Sequence, residues 1–71
     1  MGYRNLSTLL RHTTCLIDLR DRRGDTIIIE HARALAEKLG SKILNSKILY
    51  YERVSSYEIK VVLDLNIKKG E

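Results

Sequence analysis

The clearest pattern runs from Tyr57 to Ile67. Tyr57, Ile59, Val61, Leu63, Leu65 and Ile67 alternate with Glu58, Lys60, Val62, Asp64 and Asn66. A period of two sends successive side chains to opposite faces of a strand, so one face is apolar and the other solvated. This predicts a long half-buried strand in an antiparallel sheet. Leu44, Ile48, Tyr50 and Val54 share a second alternating phase, which places the partner strand within residues 42–53. Val54-Ser55-Ser56 is then the hairpin turn, and Asn45-Ser46 is a point where the first strand can be interrupted.

Earlier in the chain the spacing changes. Leu6, Leu9 and Leu10, with Thr13 next in the same row, predict a short amphipathic helix over about residues 5–13, with Ser7 and Thr8 offering capping chemistry. Thr14-Cys15-Leu16-Ile17-Asp18-Leu19-Arg20 is rich in β-formers and alternates, so it reads as a strand. Asp21-Arg22-Arg23-Gly24-Asp25 is a charged turn in which Gly24 supplies a permissive backbone.

Residues 26–39 admit two readings. Ile28, Ala32, Leu35, Ala36 and Leu39 form one helical stripe, which Asp25 or Thr26 can cap and Gly40 can close. The favoured reading is one helix from Thr26 to Leu39. The alternative is a short strand at Ile27-Ile28-Ile29, paired with residues 16–20, and a helix beginning near Glu30. The predicted architecture is α+β, a small two-layer sandwich in the order helix, strand, helix, strand, strand. It ends in an antiparallel hairpin and a short disordered tail at residues 68–71.

Seventy-one residues allow one domain. A chain this short buries only about 60% of its unfolded surface, so its core invites reinforcement. Cys15 is the one cysteine, which excludes an internal disulfide and fits a reducing compartment. His12, His31 and Cys15 are the only nitrogen and sulfur metal candidates, and no metal site is expected. Self-association into a homodimer or higher homo-oligomer is the remaining reinforcement. No apolar run approaches the roughly 20 residues of a membrane span, so the expectation is a soluble, cytoplasmic protein. Glutamine is absent, and Ile, Leu, Lys, Arg and Glu dominate, a bias found in heat-adapted proteins.

Catalytic chemistry finds little support. His12 and Cys15 lie three apart without an orienting group, and the carboxylates Asp18, Asp21, Asp25 and Glu30 stand among arginines that would pair with them. There is no phosphate-binding loop, dinucleotide fingerprint or zinc spacing. His31 reads as a partly exposed helix residue. Arg23-Gly24-Asp25 spells an integrin-recognition tripeptide, but the turn accounts for its glycine. A binding protein without a cofactor is expected, rather than an enzyme.

The formal net charge is +4. Arg20, Arg22, Arg23, Lys42, Lys47, Arg53 and Lys60 are the candidate phosphate contacts, since a basic surface attracts nucleic acid by releasing its counterions. Lys68 and Lys69 add charge at the tail. Tyr50, Tyr51 and Tyr57 flank the hairpin as candidates to stack on bases or to pack an interface.

The predicted order resembles that of the Alba-type archaeal chromatin and RNA-binding proteins, which run strand, helix, strand, helix, strand, strand and dimerise. Arg53-Val54-Ser55-Ser56-Tyr57-Glu58-Ile59 looks like the entry to that family's last strand. Cys15 to Arg22, with the Asp25–Leu39 helix, looks like its central strand and second helix. The family's first strand and its Gly-Lys-Lys loop have no counterpart here, only Arg22, Arg23 and Gly24 stand where its glycine- and lysine-bearing motif precedes the second helix, and its long hairpin arm is shortened. The resemblance implies phosphate contacts at Arg20, Arg22, Arg23 and Arg53. Tyr57 to Leu65 is also similar in pattern to dodecins, small flavin-storing oligomers, although the tryptophan that stacks on flavin is missing. The expected function is thus a dimeric, largely sequence-nonspecific DNA- or RNA-binding protein. A protein–protein or small-ligand oligomeric module is the alternative.

Overall fold

A computed structural model describes residues 4–65. The predicted tail at 68–71, with Lys68 and Lys69, and the last positions of the Tyr57–Ile67 stripe lie outside the described residues. The order of elements is α1 (Leu6–Arg11), β1 (Leu16–Arg20), β2 (Thr26–His31), α2 (Ala32–Lys38), α3 (Ser41–Leu44), β3 (Ile48–Ser55) and β4 (Glu58–Leu63). The strands form one sheet in the order β2-β1-β4-β3. Both outer pairs, β1 with β2 and β3 with β4, are antiparallel hairpins, whereas the central pair, β1 with β4, is parallel. This is the expected α+β class, with one more strand than the favoured order contained.

The extra strand corrects the reading of residues 26–39 as a single helix. Thr26–His31 is a strand, and the helix begins only at Ala32. Three consecutive isoleucines lose side-chain freedom in a helix and pack well on a pleated surface. The turn before them also commits the chain to a reversal. Asp21 and Asp25 close it through the Asp21 N–H to Asp25 carbonyl bond (3.0 Å), and the Asp21 carboxylate accepts from the amides of Arg23 and Asp25. Gly24 sits within it at φ +89°, a conformation that favours glycine. Asp25 therefore serves the turn and does not cap a helix. A shift of register between Leu19 and Arg20 leaves Ile27 unpaired opposite β1, so that Ile27 and Ile28 both pack against the core.

Other local expectations are sharpened. α1 is capped by Asn5, whose Oδ1 accepts from the Thr8 amide at 3.0 Å and from the Thr8 hydroxyl at 2.9 Å. Gly40 is not a left-handed helix terminator: at φ −75° and ψ 165° it stands at the N-cap of α3. Residues 42–44, expected within the region of the partner strand, belong to this short helix, and Asn45-Ser46 does separate it from β3.

Leu6, Leu9 and Leu10 of α1, Ala32 and Leu35 of α2, Ile17 and Leu19 of β1, and Ile59, Val61 and Leu63 of β4 form the core. The register pairs Ile17 with Ile59 and Leu19 with Val61, so the two central strands present their apolar positions on the same face. The helices cover that face. Lys38 of α2 reaches Glu30 of β2 at 2.7 Å, and this hydrogen bond holds the Glu30 carboxyl below the usual range. The opposite face carries Leu16, Asp18, Arg20, Glu58, Lys60, Val62, Tyr50 and Glu52 and has no covering layer among the described residues. No helix of the described residues is long and apolar enough to cross a membrane.

Leu19 has no exposed surface and lies between β2 and β4. Leu19→Ala is expected to cost about 2–5 kcal/mol, a large share of the roughly 5–15 kcal/mol of an ordinary domain. Urea unfolding checks this; an unchanged midpoint would show that the core is not centred on β1.

Candidate nucleic-acid interface

The sequence-derived basic residues do not converge on one patch. Arg20 and Lys60 project from the open face of the sheet, and both are neutralised there. Arg20 Nη2 meets Asp18 Oδ2 at 2.9 Å and its Nε meets Oδ1 at 3.3 Å, a two-pronged contact that raises the guanidinium pKa. Its Nη1 donates to the Gly24 carbonyl at 3.1 Å, tying the strand to the turn. Lys60 lies 3.6 Å from Glu52, directly across the β3–β4 ladder, and 5.9 Å from the centroid of the Tyr50 ring. Arg22 faces Asp64 at 3.7 Å at the far end of the sheet, where Lys47 also emerges, and Arg23 is exposed on the turn. Lys42 is on α3.

Arg53 takes the other side. It pairs with Ile59 across the ladder, so its side chain lies on the helix-bearing face. Its Nη1 donates to the carbonyls of Ser55 (3.3 Å) and Ser56 (3.1 Å) and approaches Cys15 Sγ at 3.9 Å. Tyr51, opposite Val61, shares that face. Tyr50, opposite Val62, is on the open one, and Tyr57 is 68% exposed in the hairpin turn.

The described ion pairs thus consume Arg20, Arg22, Lys38 and Lys60. Arg4, Arg11, Arg23, Arg33, Lys42, Lys47 and Arg53 have no carboxylate partner among the described residues. Of these, Arg11, Arg33, Lys42 and Arg53 belong to the helix side. Arg11, the last residue of α1, and Arg33, in the first turn of α2, line a groove of about 430 Å³ floored by Leu10, Ala36 and Leu44 and shared with Glu37. A second cleft, of about 230 Å³, opens where α1 ends beside β3; it is lined by Leu9, His12, Thr13, Tyr51, Arg53 and Ile59. β3 runs past the helices here, so its inward-facing Tyr51 and Arg53 remain exposed.

Arg11 and Arg33 are absent from the sequence-derived set. The signal that finds them is the helix start at Ala32: the apolar stripe Ala32–Leu35 then turns Arg33 outward, beside the flank of α1 that carries Ser7 and Arg11. With residues 26–39 read as one helix, the relation to α1 is hidden.

In comparisons with known proteins, no family model, no curated protein and no solved structure matches this chain.

The open face carries its own checkable chemistry. The Tyr50 hydroxyl donates to Glu52 Oε1 at 2.7 Å. That bond and the adjacent negative charge favour the neutral phenol and raise its pKa above the ordinary value, while the same bond, and then Lys60, lowers that of Glu52. A raised phenol pKa stabilises the fold below the unfolded value, near 10, and that contribution is lost as the pH rises past the folded one. Glu52→Gln should therefore move the Tyr50 titration downward when followed by NMR of the phenolic carbons; an unmoved titration would mean the bond is not formed in solution.

Proposed function

We propose that this is a cytoplasmic, non-enzymatic DNA- or RNA-binding protein that works as a homodimer and grips the phosphate backbone without reading sequence. The observation that carries the reading is the segregation of charge. On the open sheet face each arginine and lysine is answered by a carboxylate on its own or the neighbouring strand. On the helix side, Arg11, Arg33, Lys42 and Arg53 are not. A phosphate backbone gains most from cations whose charge is not already spent. The resemblance to Alba-type proteins rests now on Arg53–Ile59 and on Cys15–Arg22, since residues 26–31 of the helix it used are strand β2; with the heat-adapted composition it carries the expectation of an archaeal, thermophilic source.

Dimerisation is supported by β3. It is an edge strand of eight residues, and beyond the Asn5–Lys47 bridge at its start its outer edge has no partner among the described residues. Leu49, Tyr50, Tyr51 and Val54 are exposed along it. Such an edge is a template for another strand. Antiparallel pairing of two β3 strands, about a two-fold axis normal to the sheet, leaves both helix layers on one side and doubles the unpaired cations facing a polymer.

Affinity for DNA and RNA should fall steeply with salt, and the purified protein, which has no tryptophan, should show a raised 260/280 nm absorbance ratio. Arg11→Gln with Arg33→Gln is expected to reduce the slope of log affinity against log salt by about 1 for each phosphate the variant no longer neutralises, whereas Arg20→Gln with Lys60→Gln leaves it nearly unchanged. Absence of retention on either polymer at low salt sinks the proposal, as does an equal loss in both double variants.

Val54→Lys places a charge on the exposed edge and should shift the protein to monomer in sedimentation equilibrium without loss of helix or sheet signal. A dimer that survives this change does not use β3.

A further inference from the structure

We infer that the cleft between the end of α1 and β3 is a site for a nucleotide phosphate, with Arg53 as its principal anchor. The inference rests on the nucleic-acid reading for its ligand class, but it assigns a discrete pocket where that reading invokes only a charged surface. Three hollows among the described residues bear comparison. The α1–α2 groove has Glu37 in its lining, which disfavours an anion seated inside it but leaves Arg11 and Arg33 to a phosphate backbone passing over its rim. The hollow lined by Thr14, Cys15, Leu16, His31, Ser56 and Tyr57 contains no arginine or lysine. The α1–β3 cleft alone of the three combines an arginine with hydroxyl, phenol and imidazole groups and has no carboxylate in its lining.

The groups are also held in place. Arg53 is braced by the two hairpin carbonyls and the Cys15 sulfur through Nη1 alone. A guanidinium has five N–H donors in a rigid fork, so Nε and Nη2 keep donors for a bidentate contact with a phosphate. Thr13 Oγ1 accepts from the Cys15 amide at 3.1 Å, which leaves its own proton to donate. His12, at the C-cap of α1, forms the opposing wall. Leu9 and Ile59, 2% and 7% exposed, make an apolar floor that excludes water from beneath the anion. Tyr51 lies two residues from Arg53 on the same face of β3 and is 36% exposed, positioned to stack a base.

Size narrows the ligand. At about 230 Å³ the cleft is below the roughly 300–1,000 Å³ of pockets that enclose a drug-sized molecule. It suits a phosphate held inside with the sugar and base at the rim. A terminal phosphate reaches such a cleft more fully than an internal diester, so a strand end should be preferred over the strand interior.

The test titrates the ¹⁵N-labelled full chain with a nucleoside monophosphate, the unphosphorylated nucleoside, inorganic phosphate, and one single-stranded oligonucleotide with and without a 5′-phosphate. The monophosphate is expected to move the amides of Thr13, Cys15, Arg53 and Ser55, and to bind more tightly than either the nucleoside or inorganic phosphate. The 5′-phosphorylated strand should bind several-fold more tightly than its hydroxyl form. Arg53→Gln should weaken the monophosphate at least about tenfold, in keeping with a charge-assisted bond, and Arg53→Lys should recover only part of it. Because Arg53 also braces the hairpin, His12→Gln serves as a second variant, expected to weaken the monophosphate while the helix and sheet signals of circular dichroism are retained.

Inorganic phosphate binding as tightly as the monophosphate overturns the nucleotide assignment. No monophosphate response at these amides, while both oligonucleotides bind alike through Arg11 and Arg33, overturns the cleft and leaves the surface reading standing. No binding of any probe overturns both.

Discussion

The parallel pairing of β1 with β4 is the constraint on which the rest of this molecule depends. Two parallel strands cannot be joined by a turn, so the chain between them must leave the sheet and return. Here the intervening chain adds β2 at one edge of the sheet, leaves it through α2 and α3, and returns as β3 at the other edge. Each central strand takes its own hairpin partner on its outer side, which fixes the order β2-β1-β4-β3 and leaves two edges. The crossover helices and α1 lie over one face, because that is where Ile17, Leu19, Ile59 and Val61 point. The open face, the exposed edge of β3 and the cleft beside it all follow from having one layer of short helices over a four-stranded sheet.

That arrangement sorts the charges. Across a ladder, opposite residues share a face, so Glu52 and Lys60 are brought together by register, and Asp18 and Arg20 by their spacing of two along β1. Exposed pairs of this kind contribute on the order of 0–1 kcal/mol each; their larger effect is to leave the open face nearly neutral. On a helix the neighbours that could pair stand three or four residues apart, and no ion pair of that kind forms among the described residues of α1 and α2. On α1 and α2 the outward positions carry Arg11 and Arg33 against Glu37 alone, and the excess positive charge of the described residues is displaced to that side.

Much of the fold is legible in the sequence, for identifiable reasons. The alternation through β4 and the Leu6, Leu9, Leu10 stripe of α1 are strong periodic signals, and Ile59, Val61 and Leu63 are buried with the three leucines as expected, whereas Tyr57 falls in the turn before β4 and is exposed. Residues 26–39 mislead because Ile28 fits both the helical stripe and a strand, and only the Asp21–Asp25 turn and the bulge opposite Leu19 decide between them. The candidate site is legible in kind but not in place. A basic excess can be counted; which cations are cancelled depends on register, and register between β3 and β4 or β1 and β4 is set by tertiary pairing. Arg53 stands among the sequence candidates, yet its separation from Arg20 and Lys60 onto the opposite face is invisible there. Arg11 and Arg33 give no signal of their own, because their juxtaposition depends on where α2 begins.

The place of β4 has a consequence for synthesis. It follows every other described element in the chain, yet it sits in the middle of the sheet. Ile17 finds Ile59, and Leu19 finds Val61, across 59 − 17 = 42 positions of sequence. A nascent chain that has emerged through β3 has the Asn5–Lys47 bridge but lacks the strand that joins its two hairpin partners into one sheet: β1 with β2 offers a bare edge and an apolar face. Closing so long a loop before any reward places folding toward the slow, non-local end of small domains. The ribosome must deliver β4 before the sheet can shut, so the β1 edge is exposed to other chains until that strand has emerged.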